Sequence, residues 1–173
     1  IYCIKTKFFI VYFVNFATMI RFLFLIVFIC NYSMAQSLKK QITLGGGCFW
    51  CIEAAFEDAI GVESVISGFS GGEIKKPAYR EVVNGKTKHA EVCQITYNPE
   101  VINLKNILEI FFLVHDPTTL NRQGNDIGRH YRSIILYHND SELDLIQLEI
   151  DKYNKEYFEN KIVTEVQKFK VFY

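Results

Sequence analysis

An α+β fold, with one mixed sheet and helices packed on it, is predicted by three observations. Segments with strand-like alternation and segments with helical spacing interleave along residues 36–173. The 138 residues after Ala35 (173 less 35) are the length of one domain. All ten Gly and all three Pro of the chain fall in this stretch, where they punctuate the periodic segments. A sheet of about four to six strands is normal for this size.

The elements follow in order. Residues 41–44 form a short strand before Gly45-Gly46-Gly47. Residues 48–60 read as a helix, with Phe49, Ile52, Ala55, Phe56 and Ala59 at helical spacing and Gly61 as its C-cap. Residues 62–69 read as a strand, closed by Ser70-Gly71-Gly72. A polar loop holding Pro77 and an Asn84-Gly85 turn leads to a strand over 89–97. Residues 103–115 read as a helix, with Leu104, Ile107, Leu108, Phe111 and Phe112 on one side. Residues 116–130 are polar and Gly-containing, hence a loop. A strand over 131–137, a helix over 141–159 opened by Ser141-Glu142-Leu143-Asp144, and a last strand over 162–166 complete the series.

The first 35 residues are different in kind. They hold 27 hydrophobic residues, no Gly, Pro or acid, and only Lys5, Lys7 and Arg21 as charges. From Met19 the chain runs through one cation, the apolar stretch 22–30, a polar break and Ser33-Met34-Ala35. That is the order of a secretory signal peptide cleaved after Ala35. We therefore expect residues 1–18 to be an upstream extension, 19–35 a signal peptide, and the protein to be exported to the periplasm or beyond the cell. An uncleaved, membrane-anchored leader is the alternative. A span over 8–30 would place Arg21 inside the bilayer, at a cost of about 2.5–3.5 kcal/mol.

Composition excludes several classes. With 19 basic and 19 acidic residues the net charge is zero, against a binder that neutralises nucleic-acid phosphates. A hydrophobic content of 50% argues against disorder, and five Cys are too sparse for a disulfide scaffold. Zero charge is also an average: residues 36–173 carry 16 bases and 19 acids, net −3. Both Met, at 19 and 34, lie in the leader, as do Cys3 and Cys30.

The chemistry concentrates at Gly45-Gly46-Gly47-Cys48-Phe49-Trp50-Cys51, where a strand hands over to a helix. Cys48 falls at the first turn, where free N–H groups and the helix dipole favour a thiolate. Cys51 lies three residues on, on the same face, near enough for a disulfide after local adjustment. This reads as a nucleophile with a resolving partner, or as two cysteines that only pack. Cys-x-x-Cys also occurs in thioredoxin-like proteins and zinc sites. A zinc site needs two further ligands, and His89 with Cys93 on one strand does not supply a ligand pair, so no metal is expected. Phe49 and Trp50 are about 100° apart on the helix, so both cannot point inward, and at least one lines the space over Cys48.

The motifs Gly-Gly-Gly-Cys-Phe-Trp-Cys-Ile-Glu (45–53), Gly-Phe-Ser-Gly-Gly (68–72), Tyr-Arg-Glu-Val (79–82), His-Ala-Glu-Val (89–92), His-Asp-Pro-Thr (115–118), Arg-Gln-Gly-Asn-Asp-Ile-Gly (122–128) and Tyr-Arg-Ser (131–133) stand in order. On these residues the chain resembles the A-type peptide-methionine (S)-sulfoxide reductases over most of 42–173. The resemblance implies a ferredoxin-like split β-α-β arrangement. It implies Cys48 as nucleophile, Glu91 as the acid that protonates the sulfoxide oxygen, and Tyr79 and Tyr131 as phenols that hydrogen-bond it. Asp126 matches an acid of the substrate pocket, and Phe49 and Trp50 match the pocket for the S-methyl group. Many members have Gly at the place of Cys51 and resolve with a C-terminal cysteine; a subgroup carries the second Cys inside the motif, as here. The family continues past Phe172-Tyr173 into an acidic, Tyr-containing tail, so 36–173 is expected to be a C-terminally truncated catalytic domain, with a tail cysteine left open.

The implied reaction repairs oxidised proteins, free methionine sulfoxide also being a substrate, in an oxidative-stress response. Cys48 attacks the sulfoxide and becomes a sulfenic acid, Cys51 converts it to a disulfide, and a thioredoxin-like dithiol reopens it. The partners are oxidised proteins or peptides and that reductant. No metal or bound organic cofactor is implied, no nucleic acid is engaged, and a monomer is expected. A protonated Glu91 fits this chemistry if burial among aromatics raises its pKa. Read without the resemblance, Glu91 is a solvated strand carboxylate, Tyr79 and Tyr131 are common strand and loop residues, and Asp126 is a turn residue. Two other classes compete: a thioredoxin-type thiol–disulfide oxidoreductase, and a non-catalytic domain that holds methionine-like side chains.

Overall fold

The computed structural model describes Arg21 and residues 39–173, and residues 39–173 form one compact unit. The expected extension over 1–18 and the signal peptide over 19–35 lie outside the described residues but for Arg21. Among the described residues, no helix is long and apolar enough to cross a membrane.

The unit runs β1 (Lys40–Gly45), α1 (Phe49–Glu57), β2 (Val62–Ser70), α2 (Tyr79–Val83), β3 (Ala90–Tyr97), α3 (Leu104–Val114), β4 (Arg122–Gln123), β5 (Asp126–Ile127), β6 (Ile134–Tyr137), α4 (Leu143–Glu156) and β7 (Glu165–Lys168). Short 3-10 turns at Arg129–Tyr131 and Asp140–Glu142 precede β6 and α4. The main sheet has the order β2-β3-β1-β6-β7. The first four strands pair antiparallel, and β7 joins β6 in parallel. Each of the crossovers β1-α1-β2 and β3-α3-β6 skips one strand, which the other crossover fills. This is the split β-α-β, ferredoxin-like arrangement with a fifth strand added through α4. The mixed α+β sheet expected from the interleaved sequence is therefore present.

Alternation decides the two faces. Ile42 and Leu44 of β1 pair with Ile95 and Cys93 of β3, and Ile135 of β6 stands opposite Leu44. These side chains meet Ile52 and Phe56 of α1, the Leu104, Ile107, Leu108, Phe111 and Phe112 stripe of α3, and Ile146, Ile150 and Tyr153 of α4. Each fully buried side chain of this kind contributes about 1.5–3 kcal/mol. Asn103 caps α3 by accepting from the Asn106 N–H at 3.0 Å. The opposite face carries Ala90, Val92, Ile134 and Leu136, covered by Phe169 and Phe172 of the C-terminal segment. That segment reaches the outer edge of β2, where Tyr173 and Phe69 exchange backbone hydrogen bonds of 3.0 and 2.8 Å.

Several boundaries differ from the sequence reading. Cys48 is the N-cap of α1 and not its first helical residue, and α1 ends at Glu57 with Asp58 as C-cap. Gly61 sits beyond, at φ +97°, in the turn into β2. The polar loop after β2 contains the short helix α2, which Glu81 caps by accepting from the Ala78 N–H at 2.9 Å. The 116–130 loop contains the β4–β5 ribbon. Tyr131 belongs to a 3-10 turn and not to β6, because the buried Arg132 donates from Nη1 to the Arg129 carbonyl at 2.9 Å and keeps the chain curled. Asn139, not Ser141, is the cap before α4: its Oδ1 accepts from the Ser141 N–H at 3.2 Å, and Glu142 bonds back to the Asn139 N–H. The last strand begins at Glu165, since the N–H groups of Ile162 and Val163 bond Asn154 Oδ1 and the Pro117 carbonyl.

Candidate active site

The site lies where β1 ends, β3 begins and α1 starts. Gly47 takes φ +99°, a region that disfavours side chains, and turns the chain from β1 into Cys48. A Cβ on Gly46 would stand 2.9 Å from the His115 ring, and one on Gly47 would stand 2.6 Å from Gln123 Cγ. The glycines therefore let α3 and the β4–β5 ribbon close over the turn. Gln123 is fixed by two bonds of 3.2 Å to the backbone of Asp116. His115 is buried and bonded through Nε2 to Ser133 Oγ at 2.8 Å; burial pulls its pKa down to about 4, so the ring is neutral.

Cys48 is partly buried, and Cys51 is exposed one turn further along α1. The Cys51 N–H donates to the Cys48 carbonyl at 3.0 Å, closing the first turn. Burial raises the Cys48 pKa, while the Trp50 and Cys51 amides pull it down, and Cys51 and Glu91 raise it further. The helix N-terminus does favour the thiolate, as its position suggests, but loss of water outweighs it.

Glu91 is only 2% exposed although it is ionisable. It lies opposite Phe69 in the β2–β3 register, on the helical face of the sheet. Its Oε2 accepts from the Phe49 N–H at 3.3 Å, so the carboxyl touches the same helix N-terminus that holds Cys48. Burial raises its pKa; the Phe49 bond opposes this, and the charge of Asp126 adds to it. Tyr131 stands close by. Its phenol is pushed up by burial first, then by Glu91, Asp126, Tyr79 and Cys48.

The aromatics form a chain: Trp50 to Phe49 at 5.6 Å, Phe49 to Phe69 at 5.9 Å, and Phe69 to Tyr79 at 6.3 Å between ring centroids. Phe49 is half-buried against the core, whereas Trp50 is 68% exposed. Tyr79 opens α2, and Asp126 sits exposed on β5. Cys48, Phe49, Trp50 and Cys51 thus share the β1–α1 turn, and Glu91 bonds to it. Tyr79 reaches it only through Phe69, and among the described residues no side-chain hydrogen bond ties Tyr79, Tyr131 or Asp126 to the group. Cys93, the third cysteine of the unit, is fully buried and donates from Sγ to the Phe49 carbonyl at 3.1 Å; burial pushes its pKa up to about 12. It supports the backbone of α1, and its burial favours the protonated thiol.

Three contributors carried no role in the sequence reading. Phe69 joins Phe49 to Tyr79, Gln123 locks the ribbon over Gly47, and His115 packs against Gly46. Each lies inside a motif already singled out, at 68–72, 122–128 and 115–118, which was the available signal.

Known proteins share this sequence pattern and fold. The family model for peptide methionine sulfoxide reductase matches residues 40–173. The peptide methionine sulfoxide reductase MsrA of Natronomonas pharaonis is 52% identical over 137 residues, covering 79% of this chain and 77% of that protein. The crystal structure of reduced Mxr1 from Saccharomyces cerevisiae superposes with a TM-score of 0.74 at 36% identity, over 78% of each chain. Mxr1 in its complex with Trx2 matches with a TM-score of 0.59 at 29% identity, over 78% of this chain and 79% of that one.

Proposed function

The chain belongs to the peptide methionine sulfoxide reductase family, and we propose that its reaction runs through Cys48, Glu91 and Cys51. It reduces methionine (S)-sulfoxide, free or in proteins, to methionine, with thioredoxin as reductant, and so repairs oxidised proteins. The observation that carries the residue assignment is the meeting of Cys48 and Glu91 at the N-terminus of α1, through the 3.3 Å bond from Phe49 N–H to Glu91.

A sulfoxide resists thiols because its oxygen is a poor leaving group. The Cys48 thiolate attacks the sulfur while Glu91 protonates the oxygen and Tyr131 and Tyr79 donate hydrogen bonds to it. Overall the oxygen passes to Cys48, giving a sulfenic acid and methionine. Phe49 and Trp50 hold the S-methyl group, with Asp126 at the rim. The Cys51 thiol then attacks the Cys48 sulfur, forming a disulfide while its proton leaves with the displaced hydroxyl as water. A thioredoxin dithiol reduces this disulfide by exchange and is itself oxidised. The exposure of Cys51 on α1 supports this step, since the reductant needs access to one sulfur.

We read the protein as an exported monomer of the oxidative-stress response, released by cleavage after Ala35. The order of charge, apolar stretch and small residues in 19–35 supports this. An N-terminus other than Gln36 on the exported protein would contradict it. The nucleophile is tested with a methionine-sulfoxide peptide and dithiothreitol. Cys48→Ser abolishes reduction of the S epimer, and substantial remaining activity would remove Cys48 from the mechanism.

A further inference from the structure

The sheet face opposite the helices carries a cavity of about 190 Å³, between the loop after β2, the residues before β3, the Arg129 turn and the end of β7. None of the residues assigned to the redox reaction lines it. Leu136 gives it an apolar wall, and four cations, Lys88, Arg129, Lys168 and Lys170, surround it with Glu73 as the one carboxylate. Residues 39–173 hold 16 bases against 19 acids, so composition alone would place slightly more acids than bases here. The local ratio is inverted.

The charge balance inside the cavity is also incomplete. Lys168 is matched by Asp140 at 2.6 Å. Behind the wall, the buried Arg132 is matched by Glu165 at 3.0 Å and donates from Nη2 to the Lys88 carbonyl at 3.2 Å. Gly71 permits this arrangement, because a Cβ there would stand 3.0 Å from Arg132 Nη2. Among the described residues, Lys88, Arg129 and Lys170 have no carboxylate within 4.0 Å. Three exposed cations from three separate segments thus converge on one concave, partly apolar space whose one lining carboxylate, Glu73, pairs with none of them. Like charges so gathered repel unless an anion joins them, and a multiply charged oxyanion can accept from all three at once. The guanidinium of Arg129 adds the planar fork that suits phosphoryl oxygens.

We propose that this cavity binds a phosphate-class oxyanion, either inorganic phosphate or the phosphoryl group of a small phosphoester whose organic part rests against Leu136. The site is separate from the redox centre and does not depend on the reductase reading. It is linked to that centre by the 3-10 turn, which carries both Arg129 and Tyr131.

The test is calorimetric titration of the full chain with inorganic phosphate and, separately, with glycerol phosphate, in chloride buffer at fixed ionic strength. Saturable 1:1 binding is expected, weakened about tenfold in Lys88→Ala and again in Lys170→Ala, as loss of a charge-assisted bond predicts. Tighter binding of the ester assigns the apolar wall to its organic part; equal binding assigns the site to inorganic phosphate. Both lysines are exposed, so the variants keep the fold, with circular dichroism as the check, and keep dithiothreitol-driven sulfoxide reduction. Absence of saturable binding at millimolar phosphate overturns the proposal, as does equal binding by the variants. Binding of an acidic peptide without phosphate overturns it in favour of a protein partner.

Discussion

Glu91→Gln separates the acid role proposed for this residue from its structural one. The carboxamide has nearly the same size, and its oxygen can still accept from the Phe49 N–H, which Glu91 Oε2 meets at 3.3 Å. A weakened hydrogen bond of this kind changes stability by about 0.5–1.5 kcal/mol, or at most about tenfold in any equilibrium it governs. Loss of a positioned general acid costs about 10²–10⁴-fold in rate, or about 2.7–5.4 kcal/mol in the barrier. The two sizes are distinguishable. Steady-state reduction of a methionine-sulfoxide peptide with dithiothreitol should fall by about two to four orders of magnitude. A pH profile adds a sign. Burial raises the Glu91 pKa from its ordinary 4.5, so the folded enzyme keeps the proton to higher pH, and wild-type activity falls once rising pH strips the last proton shared by Glu91 and Cys48. The Gln variant loses this limb. Stability runs the same way: the raised pKa contributes stability below the unfolded value, lost as pH rises through the folded one. The stability of Glu91→Gln relative to wild type therefore increases across that window. A fall of less than about tenfold, with the alkaline limb intact, would refute the acid role.

Two further substitutions divide the remaining cysteines. Cys51→Ser should release one methionine per enzyme in a single-turnover assay but fail to cycle with thioredoxin; normal cycling would assign resolution to another thiol. Cys93→Ala empties a fully buried site and removes the 3.1 Å bond to the Phe49 carbonyl. It should lower unfolding stability by about 1–3 kcal/mol in urea titration while leaving thioredoxin-driven cycling intact, and loss of cycling in a folded variant would give Cys93 a redox role.

The parts legible in the sequence are those where one physical signal dominates. The α3 stripe from Leu104 to Phe112 and the alternation along β3 each bury one face, so periodicity located both within a residue or two. The raised Glu91 pKa was legible only through the resemblance, since read without it the residue is a solvated strand carboxylate. The misread parts are governed by long-range partners. Apolar Ile162 and Val163 attracted the last strand, but Asn154 and Pro117 take their N–H groups and only Glu165 reaches Ser133 of the strand end. Tyr131 follows from the buried Arg132, whose partners Glu165 and Lys88 are 33 and 44 residues away in sequence. The β4–β5 ribbon is two residues a side, too short for any period to register.

The joint desolvation of Cys48 and Glu91 bears on how the site is activated. A thiol nucleophile is commonly prepared by lowering its pKa, yet here burial raises it, and an ionised Glu91 raises it further. The two groups are thus coupled through one charge: with Glu91 ionised the thiolate is opposed, and with Glu91 protonated that opposition is gone. Thiol with carboxylate, and thiolate with carboxylic acid, carry the same total charge and differ only in where one proton sits. The second arrangement is the one the proposed mechanism uses, because it presents nucleophile and acid together. The Trp50 and Cys51 amides favour its thiolate, while burial of Glu91 favours its carboxylic acid. On the proposed mechanism, the proton that leaves Cys48 is the one that Glu91 delivers to the sulfoxide oxygen. It ends on the sulfenic acid of the same cysteine, so the first half-reaction consumes no proton from solvent. Its rate then follows the fraction of enzyme holding a single proton between the two groups, falling on both sides of that range, and Glu91→Gln leaves only the rise that comes with thiol ionisation.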